Sequence, residues 1–217
     1  MYKAVIFDFN GTLFFDNDKH IKAWSAISEL LRNKSLTDEE LHKHVNGVCN
    51  EKIIEWFKPG ITKEENKKYS LLKEEYYRKF CKEDIESFHL VKGAESFFDF
   101  LQQQEIPFTI ASASIWENIK FYIESFHLNR WIAPENIVYD DGSYEDKEMM
   151  FLDAAKKLNT NIQDVLIIED SIAGIEKAYQ AGCRNIWVME SSHQADNLKK
   201  LPGVTKIIQD FEIKHSG

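Results

Sequence analysis

Short, unbroken apolar runs recur along this chain, and between them the hydrophobic positions fall at helical spacing. The runs are Ala4–Phe9, Phe108–Ala113, Asn136–Tyr139, Val165–Glu169 and Asn185–Val188, with a terminal one at Lys206–Ile208. Runs that do not alternate with polar residues suit strands covered on both faces, as in a parallel sheet. The stretches Ala94–Gln103, Ile115–Phe126, Lys147–Leu158 and Ile172–Ala181 are amphipathic, and Gly93 and Gly182 stand at their ends, where helices start and stop. Strand and helix in alternation predict an α/β fold with a Rossmann-like, doubly wound parallel sheet as its core.

Residues 16–88 break that rhythm. They contain no run that reads as a strand and are dense in Lys, Glu and aromatic residues. Thr37-Asp38-Glu39-Glu40 and Thr62-Lys63-Glu64-Glu65 both fit the capping-box pattern that opens a helix. A structureless loop of this length does not suit a compact domain, so the segment predicts a separate, inserted bundle of about four helices. The expected division is 1–15 and 89–217 for the core and 16–88 for the helical domain, with hinges near Phe15–Asn17 and Glu86–Val91.

Composition narrows the class. Of 217 residues, 43% are hydrophobic, including 15 Phe, 8 Tyr and 5 Trp, enough for a real core and contrary to a disordered chain. The formal charge of −9 repels phosphate backbones and argues against a nucleic-acid partner. Cys49, Cys81 and Cys183 lie far apart, which suits reduced thiols in a cytoplasmic protein. The N-terminus turns acidic at Asp8, too early for a signal peptide, and no apolar run reaches the length of a membrane span. The chain therefore reads as soluble, with a monomer as the default for this architecture.

Candidate chemistry gathers where strands end. In an open α/β sheet, ligands bind beyond the carboxyl ends of the strands. Asp8 follows the first strand, Ser112 and Ser114 end the second, Glu169-Asp170-Ser171 end the fourth, and the loop 140–147 offers Lys147. An acidic residue after one strand is commonly a solvated turn residue; convergence at several strand ends points to a site. Carboxylates can hold Mg²⁺ and supply a nucleophile, while a lysine and serine hydroxyls neutralise phosphate oxygens. The set is chemically complete for a phosphoryl group.

These residues carry a resemblance. Asp8-Phe9-Asn10-Gly11-Thr12, Ala111-Ser112-Ala113-Ser114 and Ile168-Glu169-Asp170-Ser171-Ile172-Ala173-Gly174-Ile175 resemble the haloacid dehalogenase-like hydrolase superfamily over essentially the whole chain. Lys3–Asp8, His20-Ile21-Lys22-Ala23-Trp24 and Gly47-Val48 are similar to its β-phosphoglucomutase-like branch. The resemblance implies that Asp8 is the nucleophile of an Mg²⁺-dependent phosphatase, forming an aspartyl-phosphate. It implies that Ser112, Ser114, Gly11 and Thr12 bind phosphate and that Lys147 stabilises charge. Asp8, Asp170, Glu169 and the backbone carbonyl of Asn10 would hold or support the metal, and the helical insertion would be a cap meeting substrate through His20, Asn50 and Lys73.

Three departures matter. Asn10 stands where the family carries a second aspartate for acid–base work, and a carboxamide cannot exchange that proton. Its loss favours substrates with good leaving groups. Lys147 lies only four residues before Phe151, closer than the family's lysine. Gly47-Val48 is followed by Cys49-Asn50-Glu51, without the arginine of the mutase branch, which favours a phosphatase over a phosphosugar mutase. A catalytically weak phosphometabolite-binding protein is the other alternative. Lys73 also reads as a residue of a solvated helix face, Cys49 as a small buried residue, and Trp24, Tyr76 and Tyr77 as helical core.

Overall fold

The computed structural model describes residues 2–190 and 195–212. In chain order its main elements are β1 (Ala4–Phe7), α1 (Asn17–Arg32), α2 (Asp38–Glu40), α3 (Asn50–Phe57), α4 (Lys63–Glu83), α5 (Ala94–Gln103), β2 (Phe108–Ser112) and α6 (Trp116–Phe126). They continue with β3 (Val138–Tyr139), α7 (Lys147–Lys157), β4 (Val165–Glu169), α8 (Ile172–Gln180), β5 (Asn185–Met189), α9 (Ala195–Leu198) and β6 (Val204–Ile208). The chain falls into two compact units, Met1–Phe15 with His89–Gly217, and Asp16–Phe88.

The first unit is a six-stranded sheet in the order β3-β2-β1-β4-β5-β6, and every pairing is parallel. Each residue of β1, β2 and β4 is buried, which is why these strands read as continuous apolar runs. Successive side chains point to opposite faces. Ala4 and Ile6 join Val165 and Ile167 against Phe151 and Ala154 of α7 and Ile175 and Ala178 of α8. Phe7 meets Phe97 and Phe98 of α5 edge-on, with ring centroids 6.0 and 5.2 Å apart. Each such large side chain contributes about 1.5–3 kcal/mol by leaving water.

Strand limits shift where local turns win. The first strand stops at Phe7 rather than Phe9, because the Phe9 carbonyl accepts the N–H groups of Thr12, Leu13 and Phe14 at 3.2, 2.8 and 3.1 Å. The third shortens because Pro134–Asn136 forms a 3₁₀ turn, with proline pre-set for it. Caps define the helices that follow β3 and β4. Asp146 opens α7 by accepting from the N–H groups of Glu148 and Met149, and Ser171 opens α8 by accepting from Gly174.

The second unit is wholly helical. Thr37 and Thr62 each form a complete capping box, with Glu40 and Glu65 reaching back to the threonine N–H. A π-helical turn, Leu41–Val45, follows α2. Its core joins Trp24, Ile27, Leu41, Val45, Ile53, Ile54 and Phe57. Lys19 is buried in this unit, with Asp18 and Asp84 each at 2.9 Å and the Ser87 hydroxyl beside it. The ammonium thus ties the start of α1 to the segment after α4.

Two sequence expectations fail here. Cys49 is exposed, because it precedes the apolar face of α3 that Ile53, Ile54 and Phe57 bury. Lys73 does not belong to a solvated face: it is 3% exposed, among aromatic rings and polar partners described below. Cys81 and Cys183 are buried, and burial pushes both thiols up, Cys81 to about 12. Among the described residues no helix is long and apolar enough to cross a membrane.

Candidate active site

Parallel register builds the site. Phe7 pairs with Ile168 across β1 and β4, and the Asp8 N–H donates to the Ile168 carbonyl at 2.9 Å. The next residue on each strand is a carboxylate, so Asp8 and Glu169 lie side by side at the carboxyl edge. On the other flank Phe7 pairs with Ile110, and β2 ends two residues later at Ser112. Residues distant in sequence thereby share one edge.

Lys147, the first residue of α7, sends its ammonium into this edge. Its Nζ lies 2.6 Å from Asp8 Oδ1 and also bonds Glu169 Oε1. The shorter spacing to Phe151 therefore does not keep it from the carboxylates. Burial pushes Asp8 up to about 6; Lys147 works against that shift, and the neighbouring Glu169 carboxylate adds to it. Burial acts to lower Lys147, but the charges of Asp8 and Glu169 outweigh it and hold the lysine above its ordinary value. The lysine is thus a fixed cation.

Glu169 is fully buried and held on both sides. Its Oε2 accepts the Ser171 backbone N–H at 2.6 Å and the Ser171 hydroxyl at 3.0 Å, while Oε1 faces Lys147. Two glycines make the room. A Cβ on Gly174 would stand 1.9 Å from Glu169 Oε1, and one on Gly11 would stand 2.2 Å from Asp170 Oδ2. Gly11 also has a φ of +78°, a conformation that glycine adopts without strain.

Asp8, Glu169 and Asp170 each offer a carboxylate oxygen, all within 4.8 Å of one another. With Lys147 among them, two negative charges remain in excess. Hard oxygen donors with that balance fit a divalent cation such as Mg²⁺.

Asn10 lies among hydroxyls. Its Oδ1 accepts from Ser114 Oγ at 2.8 Å and Ser112 Oγ at 3.4 Å, and its Nδ2 donates to the Tyr122 hydroxyl at 2.8 Å. Tyr122, on α6, is fully buried and stacks on Phe9 with centroids 4.0 Å apart. No motif singles out this tyrosine, because an aromatic on the apolar face of a helix reads as core.

Other expected residues fall differently. The N–H groups of Gly11 and Thr12 are engaged in the turn, donating to Phe14 and Phe9 carbonyls at 2.8 and 3.2 Å. The Thr12 hydroxyl is buried and has no hydrogen-bond partner among the described residues. Neither residue joins the hydroxyl cluster. His20, Asn50 and Lys73 come together within the helical unit. Lys73 Nζ lies 2.8 Å from His20 Nδ1 and 2.9 Å from Glu74 Oε1, which accepts from Asn50 Nδ2 at 2.9 Å. A protonated Lys73 makes Nδ1 the acceptor and leaves the His20 proton on Nε2, 3.3 Å from Asp16 Oδ2. Tyr77 stacks on the imidazole and donates to the same Asp16 oxygen at 2.5 Å. Asp16, Glu74 and Tyr77 carry no motif that would have singled them out.

Residues 5–188 match the family model described as haloacid dehalogenase-like hydrolase. A solved structure of a HAD hydrolase, family IA, variant 3, from Entamoeba histolytica is 34% identical, with 96% of this chain and 93% of that one covered and a TM-score of 0.88. β-Phosphoglucomutase from Clostridium difficile shares the fold at 22% identity, covering 97% and 92%, with a TM-score of 0.74. So does a mutant of CbbY from Rhodobacter sphaeroides in complex with xylulose-(1,5)bisphosphate, at 17% identity, 97% and 95% coverage and a TM-score of 0.77. With its strand-end carboxylates, its lysine and a family match spanning most of its length, the chain belongs to the haloacid dehalogenase-like hydrolases.

Proposed function

We propose that this protein is an Mg²⁺-dependent phosphatase that hydrolyses a small phosphorylated metabolite through an aspartyl-phosphate on Asp8. The observation that carries the reading is the placement of Asp8 against Lys147, with Glu169, Asp170, Ser112 and Ser114 at the same sheet edge. Asp8, Asp170 and the Asn10 backbone carbonyl would hold the cation, supported by Glu169. Bound there, Mg²⁺ supplies charge neutralisation for phosphate oxygens.

Asp8 presents a carboxylate to phosphorus, and Lys147 keeps that carboxylate ionised while offsetting charge on the phosphoryl oxygens. With a phosphoryl group bound, Ser112 and Ser114 turn their hydroxyl hydrogens from Asn10 Oδ1 to those oxygens. Water attack on the aspartyl-phosphate then restores the Asp8 carboxylate and releases phosphate. Within the helical unit, the His20–Lys73–Asn50 cluster is the set of polar groups for recognising the rest of a substrate.

The test is phosphate release with Mg²⁺ across a panel of phosphorylated metabolites, beside Asp8→Asn. Turnover abolished in the variant, with its fold intact, is the expected result; undiminished turnover would refute the nucleophile. A second reading rests on Asn10 in place of an acid–base carboxylate: a protein that binds phosphometabolites without turning them over. It predicts stabilisation by phosphate with Mg²⁺ and no phosphate release from any member of the panel.

A further inference from the structure

The carboxamide of residue 10 is built into its surroundings from both ends. Ser112 and Ser114 donate to Oδ1, which leaves Nδ2 to face Tyr122, whose buried ring is stacked on Phe9. Oδ1 therefore orients the two hydroxyls, and the group has no acidic proton to transfer. We infer that Tyr122 is a positioning residue acting through Asn10, and that the pair tunes this site to phosphoryl donors whose leaving group departs as a stable anion, acyl phosphates foremost. The inference rests on the phosphatase reading and names its substrate class.

The chemistry balances without a proton donor at position 10. An Asp8 oxygen forms a bond to phosphorus, the bond from phosphorus to the leaving oxygen breaks, and the electron pair leaves on that oxygen. An acyl phosphate releases a carboxylate, whose conjugate acid has a pKa of about 4, so it needs no proton. An alkyl phosphate would release an alkoxide, which needs a proton that a carboxamide does not give. Water then forms a bond to phosphorus, the bond from phosphorus to Asp8 breaks, and both water hydrogens stay on the phosphate released. The group leaving in this second step is again a carboxylate, that of Asp8 itself. Both steps thus suit the same site.

The experiment measures kcat/KM with Mg²⁺ for acetyl phosphate, phenyl phosphate and an alkyl phosphate. It uses the unaltered protein, Asn10→Asp, Tyr122→Phe, Asn10→Ala and the last two combined. The unaltered protein is expected to prefer acetyl over alkyl phosphate, and Asn10→Asp to shrink that preference by about 10²–10⁴-fold. Tyr122→Phe is expected to lower acetyl phosphate turnover by about 2–10-fold, the equivalent of one neutral hydrogen bond. Combined with Asn10→Ala it adds no further loss, whereas a purely packing role would lower activity equally in both backgrounds. Equal rates on acetyl and alkyl phosphate in the unaltered protein would overturn the substrate class alone. Additive losses would overturn the role of Tyr122. Silence of every variant on every donor would remove the phosphatase reading, and this inference with it.

Discussion

Lys147 and Asp8 are 139 residues apart in sequence, yet the lysine ammonium rests 2.6 Å from Asp8 Oδ1. The pairing joins the first residue of α7 to the residue just past β1, and Glu169 shares the same ammonium. Replacing Lys147 by Met leaves two adjacent carboxylates buried without their cation. Loss of a buried ion-pair partner costs about 3–5 kcal/mol, and the lysine's partial exposure puts the expected loss at the low end. Urea unfolding of Lys147→Met without Mg²⁺ measures this. Phosphate release in the same variant is expected to fall about 10²–10³-fold.

Gly174→Ala adds one methyl where a Cβ would stand 1.9 Å from Glu169 Oε1. Glu169 must move, and its bonds to Ser171 and Lys147 go with it. The expected destabilisation is about 1–3 kcal/mol, typical of overpacking, with weakened Mg²⁺ binding. Calorimetric titration with Mg²⁺ checks the second effect; unchanged affinity would separate Glu169 from the metal.

Mg²⁺ should stabilise the protein by mass action, by about 2.7 kcal/mol at a hundredfold excess over Kd. Thermal melts with Mg²⁺, then with a chelator, follow it directly. Asp170→Asn is expected to remove most of the shift, because Asp170 completes the carboxylate group.

In the helical unit, the Ser87 hydroxyl and the buried Lys19 hold Asp84 down to about 2, below its ordinary value of 3.8. A lowered carboxylate contributes stability above its unfolded pKa and loses it as pH falls through the folded value. The loss is expected between about pH 4 and pH 2. Asp84→Asn should flatten that part of an acid titration followed by tryptophan fluorescence. An identical titration in the variant would contradict the assignment.

Much of the fold was legible because burial on two faces leaves a plain mark: β4 and α5 run over the residues that the apolar pattern predicts. The capping boxes at Thr37 and Thr62 were equally plain, since their chemistry is local. The end of β1 was not, because Phe9 looks like strand and only the turn hydrogen bonds stop it at Phe7. The strand-end carboxylates and serines were visible as residue types, and the structure adds their contacts. Tyr122 was hidden, since its hydroxyl matters only through a partner on another element. Lys73 was misread for a related reason: a lysine among charged helix residues looks solvated until Trp24 and Tyr77 are found 5.3 and 5.6 Å from its ammonium.

The register of β1 against β4 also sets a clock. Asp8 and Glu169 become neighbours only when two strands far apart in the sequence pair in step, and a slip of one strand by one residue would turn its carboxylate to the other face. Helices α5 to α8 form from local contacts, whereas this pairing must close most of the polypeptide first. Recovery of activity after refolding is therefore expected to trail the return of helical circular dichroism. The chemistry of the site then doubles as a proofreading signal, reporting that β1 and β4 have met in the correct alignment.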